Sequence, residues 1–184
     1  PKFVQAMVAA TFGYVVMAFL MTATPISMHY VHKLSVDKVG LVIQFHVLGM
    51  FLPSLFTGNL IKRFGFSNIM YTGVFFYALT ISLSLFEPTF INYFASLIFL
   101  GIGWNFLYIS GTSLLVSTYN EQEKVKAQGF NDLIVFSATA IGSLSAGILI
   151  SLLSWIIVNF MCIPFLIIIL FVILRADTKK APAN

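Results

Sequence analysis

The chain is 184 residues long, 59% hydrophobic and 9% charged, with a net charge of +4. Soluble domains carry about 25% charged residues, so this composition leaves too little polar surface for a water-soluble globule. The basic excess does not point to nucleic acid, because the Lys and Arg residues fall between apolar segments and at the chain ends.

A bilayer core about 30 Å thick takes roughly 20 apolar residues as helix. Uncharged stretches of that order recur along the chain, the longest running 42 residues between Asp132 and Arg175. The sequence therefore predicts an all-α integral membrane protein with six spans over residues 1–174 and a polar tail, 175–184. Position 1 is Pro and an apolar segment begins at Phe3 with no secretory cleavage pattern, so the chain reads as starting inside a longer parent. The lone Cys162 lies in an apolar run, where it acts as a small hydrophobe.

The first helix covers about 3–24 and is expected to end near Pro25. Tyr14 lies near its middle. His29 and His32 follow its far end, but nothing in the spacing brings them together with His46 as a metal site. The second helix covers about 39–61 and carries His46, Gly49, Met50, Pro53, Ser54 and Thr57 at the spacing of one helical face. Small, polar and kinking residues on one face point into a bundle. Two readings of that face stay open: close packing against a neighbour, or a cavity wall with His46 as a ligand or proton site.

The third helix covers about 68–86, before Glu87-Pro88, and the fourth about 90–116. Gly101, Asn105, Tyr108 and Thr112 share one face of the fourth. A mid-membrane amide needs a partner, because an unsatisfied one costs several kcal/mol in hydrocarbon. For Asn105 that partner is either another helix or a solute in a watery cavity. The fifth helix, about 127–150, carries Asp132, Thr139, Ser143 and Gly147 on one side, with Ala138, Gly142 and Ala146 favouring a close crossing. Asp132 is the one formal charge placed inside a span. It reads either as an interfacial carboxylate near the helix start or as half of a gate ion pair with Lys62 or Arg63. Forty-two helical residues would measure about 63 Å, so a turn is expected at Ser151–Ser154, leaving about 153–174 as the sixth helix.

The distribution of positive charge supports six spans. Both termini and the second and fourth loops hold eight Lys and Arg, against two, Lys33 and Lys38, in the opposite loops. The positive-inside rule then places both termini in the cytoplasm.

The loop after the second helix reads Gly58-Asn59-Leu60-Ile61-Lys62-Arg63-Phe64-Gly65. It resembles the Gly-x-Leu-x-Asp-Arg-x-Gly loop of the major facilitator superfamily, with Lys62 in place of the Asp. The segments Thr24-Pro25, His46 to Gly58, Gly101 to Leu107 and Gln128 to Asp132 are similar to one group of bacterial permeases of that family. The resemblance implies the C-terminal half of a twelve-helix transporter, built from two inverted three-helix repeats. Its partners would be the lipid bilayer, an N-terminal six-helix half and a small-molecule substrate, in a bacterial inner membrane. It implies Gly58, Lys62, Arg63 and Gly65 as gating residues, with Asp132 as a gating or coupling candidate. By position, the first and fourth helices would face the solute path. The candidate contacts are Tyr14, Asn105 and Tyr108, with His46 and Thr139 weaker.

No cofactor is expected. The absence of a nucleotide-binding loop points to an ion gradient as the energy source. Asp132 and His46 are the embedded titratable options, and the coupling residue is otherwise sought in the other half. Ile109-Ser110-Gly111-Thr112-Ser113 lacks the first glycine of an intramembrane serine protease motif, and no His-Glu-x-x-His occurs, so an enzyme is not expected. A standalone six-helix protein acting as a homodimer or structural subunit is the remaining alternative.

Overall fold

The structure is a computed structural model that describes residues 2–178, and every described regular element is a helix. Six helical segments are long and apolar enough to cross a membrane. The first is α1 (Lys2–Ile26), which continues as one π-helical stretch, Ser27–Val31. The second is α2 (Val36–Phe51) with α3 (Ser54–Phe64), and the third is α4 (Phe66–Leu83). The fourth is α5 (Phe90–Val116) and the fifth α6 (Lys124–Leu152). The sixth is α7 (Trp155–Phe160) with α8 (Ile163–Thr178). These six spans form an all-α membrane bundle.

Several helix ends differ from the sequence-based boundaries for physical reasons. Pro25 lies inside α1 instead of ending it. Proline removes one N–H from the ladder, and the chain continues by widening to the π register, with His32 N–H donating to Ser27 O at 3.0 Å. The second span runs to Phe64, and Gly65 alone turns the chain into α4. Gly65 has φ 84°, a left-handed conformation that favours glycine. The fifth span ends at Leu152, and Ser154 caps α7 by accepting from Ile157 N–H at 3.4 Å. Arg175–Thr178, expected in the tail, continue α8. Pro1 and the rest of the tail, residues 179–184, lie outside the described residues.

The core is built around α1 and α5. The α1 helix packs against α5, α6 and α8, while α5 packs against α1, α2 and α4. Gly101 explains how closely α5 approaches α2: a methyl group there would meet His46 O at 2.6 Å and Met50 N at 2.9 Å. Gly49 is its counterpart, with Ile98 O 2.9 Å from the position its Cβ would take. Small residues thus let two membrane helices touch backbone to backbone. Cys162 is buried against the core, as a small hydrophobe would be.

At the end carrying Lys2 and Thr178, a polar network ties three spans together. Gln5 Nε2 donates to Ser67 Oγ at 3.0 Å, and Ser67 Oγ donates to Asp177 Oδ1 at 2.7 Å. Tyr71 donates to the second Asp177 oxygen at 3.1 Å.

Gly101→Ala is expected to cost about 1–3 kcal/mol by overpacking, because the added methyl meets backbone that has no rotamer to escape into. Gly58→Ala meets nothing within 4 Å and should hold or raise stability, since alanine favours a helix interior by about 1 kcal/mol. Melting temperatures of the two purified variants check this. Equal values would contradict the packing assigned to Gly101.

Candidate functional site

The sequence-selected residues separate into three places. The first is the crossing of the second and fourth spans. Pro53 separates α2 from α3. Met50 lies in the last turn of α2, where a helix end leaves carbonyls in need of a donor. Asn105 supplies one: its Nδ2 donates to Met50 O at 2.7 Å and to Ser54 Oγ at 2.6 Å. Its Oδ1 lies 2.6 Å from the Thr57 hydroxyl, which also approaches Pro53 O at 2.8 Å, so one proton serves two acceptors. Asn105 is completely buried, with partners on both sides of the break. Of the two openings left by the sequence, this is the partner on another helix. His46 is likewise enclosed, with Nδ1 2.7 Å from Leu97 O and Nε2 without a partner. The stripe on the second span thus faces α5.

The second place is an aromatic cluster one helical face away. Tyr14 of α1 meets the rings of Trp104 and Tyr108 edge-on, with centroids 5.4 and 5.1 Å apart. Trp104 and Tyr108 are stacked at 5.1 Å and 13°. Phe136 of α6 reaches Tyr14 at 6.1 Å, and Phe51 of α2 reaches Trp104 at 6.1 Å. Tyr14 and Tyr108 are half-buried, while Phe51 and Phe136 are exposed, so the cluster opens toward the bundle surface. The buried indole N–H of Trp104 has no acceptor. Thr139, further along α6, also holds a buried hydroxyl without a partner. Tyr14 and Tyr108 were visible in the sequence as polar aromatics within spans. Trp104, Phe51 and Phe136 were not selected, and their only sequence signal is the i, i+4 spacing of Trp104 and Tyr108.

The third place is where α5 ends and α6 begins. A cleft of about 260 Å³ is lined by Thr112, Ser113, Tyr119, Gln128, Asn131 and Asp132 together with two apolar residues. Asp132 is exposed and accepts from Asn131 Nδ2 at 3.1 Å. The ion pair among the described residues is Lys124–Glu121, 3.7 Å, so Asp132 does not pair with Lys62 or Arg63 in this structure. Lys62 and Arg63 are exposed in the last turn of α3, and the Arg63 guanidinium lies 5.1 Å from the Phe64 ring centroid. Gly58 sits inside α3 in open space. The described residues hold no group of three or more His, Cys, Asp and Glu able to bind a metal.

The family model of the Major Facilitator Superfamily matches residues 6–184. A riboflavin transporter of Brucella anthropi is 40% identical over 185 residues, covering 100% of this chain and 46% of that protein. An uncharacterized MFS-type transporter of Bacillus subtilis is 35% identical over 139 residues, 74% of this chain and 32% of that protein. The chain therefore spans about half the length of the first of these relatives and about a third of the second.

Asn105→Ala would leave Met50 O without its side-chain donor inside the bundle, at a cost of about 1–3 kcal/mol. Its melting temperature and membrane abundance are expected to fall together with any loss of transport. Normal abundance and stability with transport lost would instead make Asn105 a solute contact.

Proposed function

The chain belongs to the major facilitator superfamily, and on that premise we propose that it forms the C-terminal half of a secondary transporter with a flat, ring-bearing solute, riboflavin being the candidate. Family membership assigns transport instead of enzymatic catalysis. The solute would pass between this bundle and an N-terminal six-helix half, opened alternately to either side by rocking of the two. The charge asymmetry of the loops supports cytoplasmic termini, and the two bacterial relatives support a bacterial inner membrane.

The observation that carries the solute class is the cluster of Tyr14, Trp104 and Tyr108. Two stacked rings and one edge-on ring form an apolar wall on which a planar heterocycle can lie. Stacking a base on an aromatic side chain contributes about 1–3 kcal/mol, and a tricyclic ring offers more area than a base. The identity to a riboflavin transporter extends over the whole chain. Thr139 would add a polar contact from α6. His46 and Asn105 would serve the framework behind the wall. Lys62 and Arg63 in the last turn of α3, Gly65 at the turn itself and Gly58 within α3 would form the basic end of the second span, which shifts as the halves rock.

The test is riboflavin uptake by a riboflavin-auxotrophic bacterium carrying the complete transporter. Tyr14→Ala and Tyr108→Ala are expected to reduce uptake at low riboflavin by about ten-fold, equivalent to ~1.4 kcal/mol of lost binding, with membrane abundance unchanged. Growth at low riboflavin that never depends on the transporter would overturn the solute. Unchanged uptake in both variants would overturn the aromatic wall.

A further inference from the structure

The cleft between α5 and α6 is lined largely by oxygen-bearing side chains, and Gln128 Nε2 donates to the Tyr119 hydroxyl within it at 2.6 Å. The Thr112 hydroxyl spends its proton on Tyr108 O, 2.8 Å away. The Asn131 amide nitrogen is committed to Asp132 Oδ1 at 3.1 Å, which fixes its Oδ1 as the free group. That oxygen is buried and has no partner, although the residue is 2% exposed and lines the cleft. Asp132 is an acceptor at every free position when ionised. Three oxygens whose donor capacity is absent or used therefore line one space, together with the hydroxyls of Ser113 and Tyr119 and the Gln128 amide. A buried acceptor left unmade is costly, and native structures rarely keep one without a ligand, ion or water.

We propose that this cleft binds a monovalent cation of the size of Na⁺ and that its occupancy couples to transport. All-oxygen ligation is the preference of hard cations. Asp132 is the one carboxylate lining the cleft, and its single negative charge matches one positive charge. A proton on Asp132 would answer one acceptor and leave the others as they are. The neighbouring charged groups Glu123 and Lys126 line a separate cleft with Phe3 and do not enter this one.

The position gives the cation a mechanical role. The α5 and α6 helices both flank α1, and α6 packs along α1 instead of α5. Ligands come from both sides: Thr112 and Ser113 from α5, Asn131 and Asp132 from α6. A bound cation would hold the two helices together at this end. Thr112 lies one turn, about 6 Å, from Tyr108 of the aromatic wall, and Phe136 of that wall lies one turn beyond Asp132. Fixing α6 against α5 thus fixes the two edges of the solute site, a route by which each ligand alters the affinity for the other.

Binding itself rests on the cleft alone; coupling rests on the transporter reading. The primary test is therefore one that needs no solute: the melting temperature of the purified complete transporter in NaCl against choline chloride at equal ionic strength. Na⁺ is expected to raise it saturably, as any ligand of the native state does. Asp132→Asn, an isosteric change at an exposed position, and Asn131→Ala should each weaken apparent Na⁺ affinity by about ten-fold or more. Glu121→Gln, a nearby exposed carboxylate outside the cleft, should leave it unchanged. Equal melting in the two salts, or an Na⁺ effect that survives in both cleft variants, overturns the site. Stabilisation by acid alone, lost in Asp132→Asn, would replace the cation by a proton and also overturns it. In the complete transporter, an imposed Na⁺ gradient should accelerate uptake. Na⁺ binding without that acceleration removes the coupling and leaves the site, and Na⁺-dependent melting without riboflavin uptake separates failure of the solute from failure of the cation.

Discussion

A proline inside a membrane span interrupts the backbone ladder, and in hydrocarbon no water can bridge the gap. At the Pro53 break the Asn105 amide does so, donating to Met50 O before it and to Ser54 Oγ after it. The arrangement requires the second and fourth spans to be almost in backbone contact, and Gly49 and Gly101 allow that approach. Helical spacing then decides the rest. With Gly101 and Asn105 turned toward the second span, Trp104 and Tyr108 occupy the adjacent face and meet Tyr14. The clamp therefore sets the rotation of α5, and the rotation of α5 sets the aromatic wall.

Much of this was legible in the residues because membrane sequences obey few rules strictly. Length, apolarity and charge asymmetry specify six spans. The polar stripe from His46 to Thr57 and its counterpart on the fourth span marked two faces with buried business. Their mutual contact was not legible, since a stripe says that a face is turned inward and not what it meets. The π-helical continuation past Pro25 was missed because proline reads as a stop, whereas inside a bundle a change of hydrogen-bond register lets the helix go on. The aromatic wall was half visible. Tyrosines stand out in apolar helices, but Phe51 and Phe136 are two of 20 phenylalanines with the same local signature. The network of Gln5, Ser67, Tyr71 and Asp177 joins residues up to 172 positions apart, and no local pattern encodes such a meeting.

The proposed functional features line up along α5. Its middle carries the clamp on one face and the aromatic wall on the next, and its last turns border the oxygen-rich cleft shared with α6. A solute lying on the wall and a cation in the cleft would sense one another through the same two helices. On the proposed cation site, ion coupling, otherwise sought in the other half of the transporter, would fall to residues on this chain. In this structure Asp132 is bonded to its own neighbour and not to Lys62 or Arg63.

The central claim is that the wall of Tyr14, Trp104 and Tyr108 borders a water-filled path that accepts a planar solute. Thiol labelling of Tyr108→Cys in the complete transporter, with the buried Cys162 replaced by Ala, tests it most directly. The account predicts modification by a membrane-impermeant reagent, and protection when riboflavin is present. A cysteine at position 108 that stays unlabelled in every condition would mean that lipid or protein covers the wall, and would contradict it.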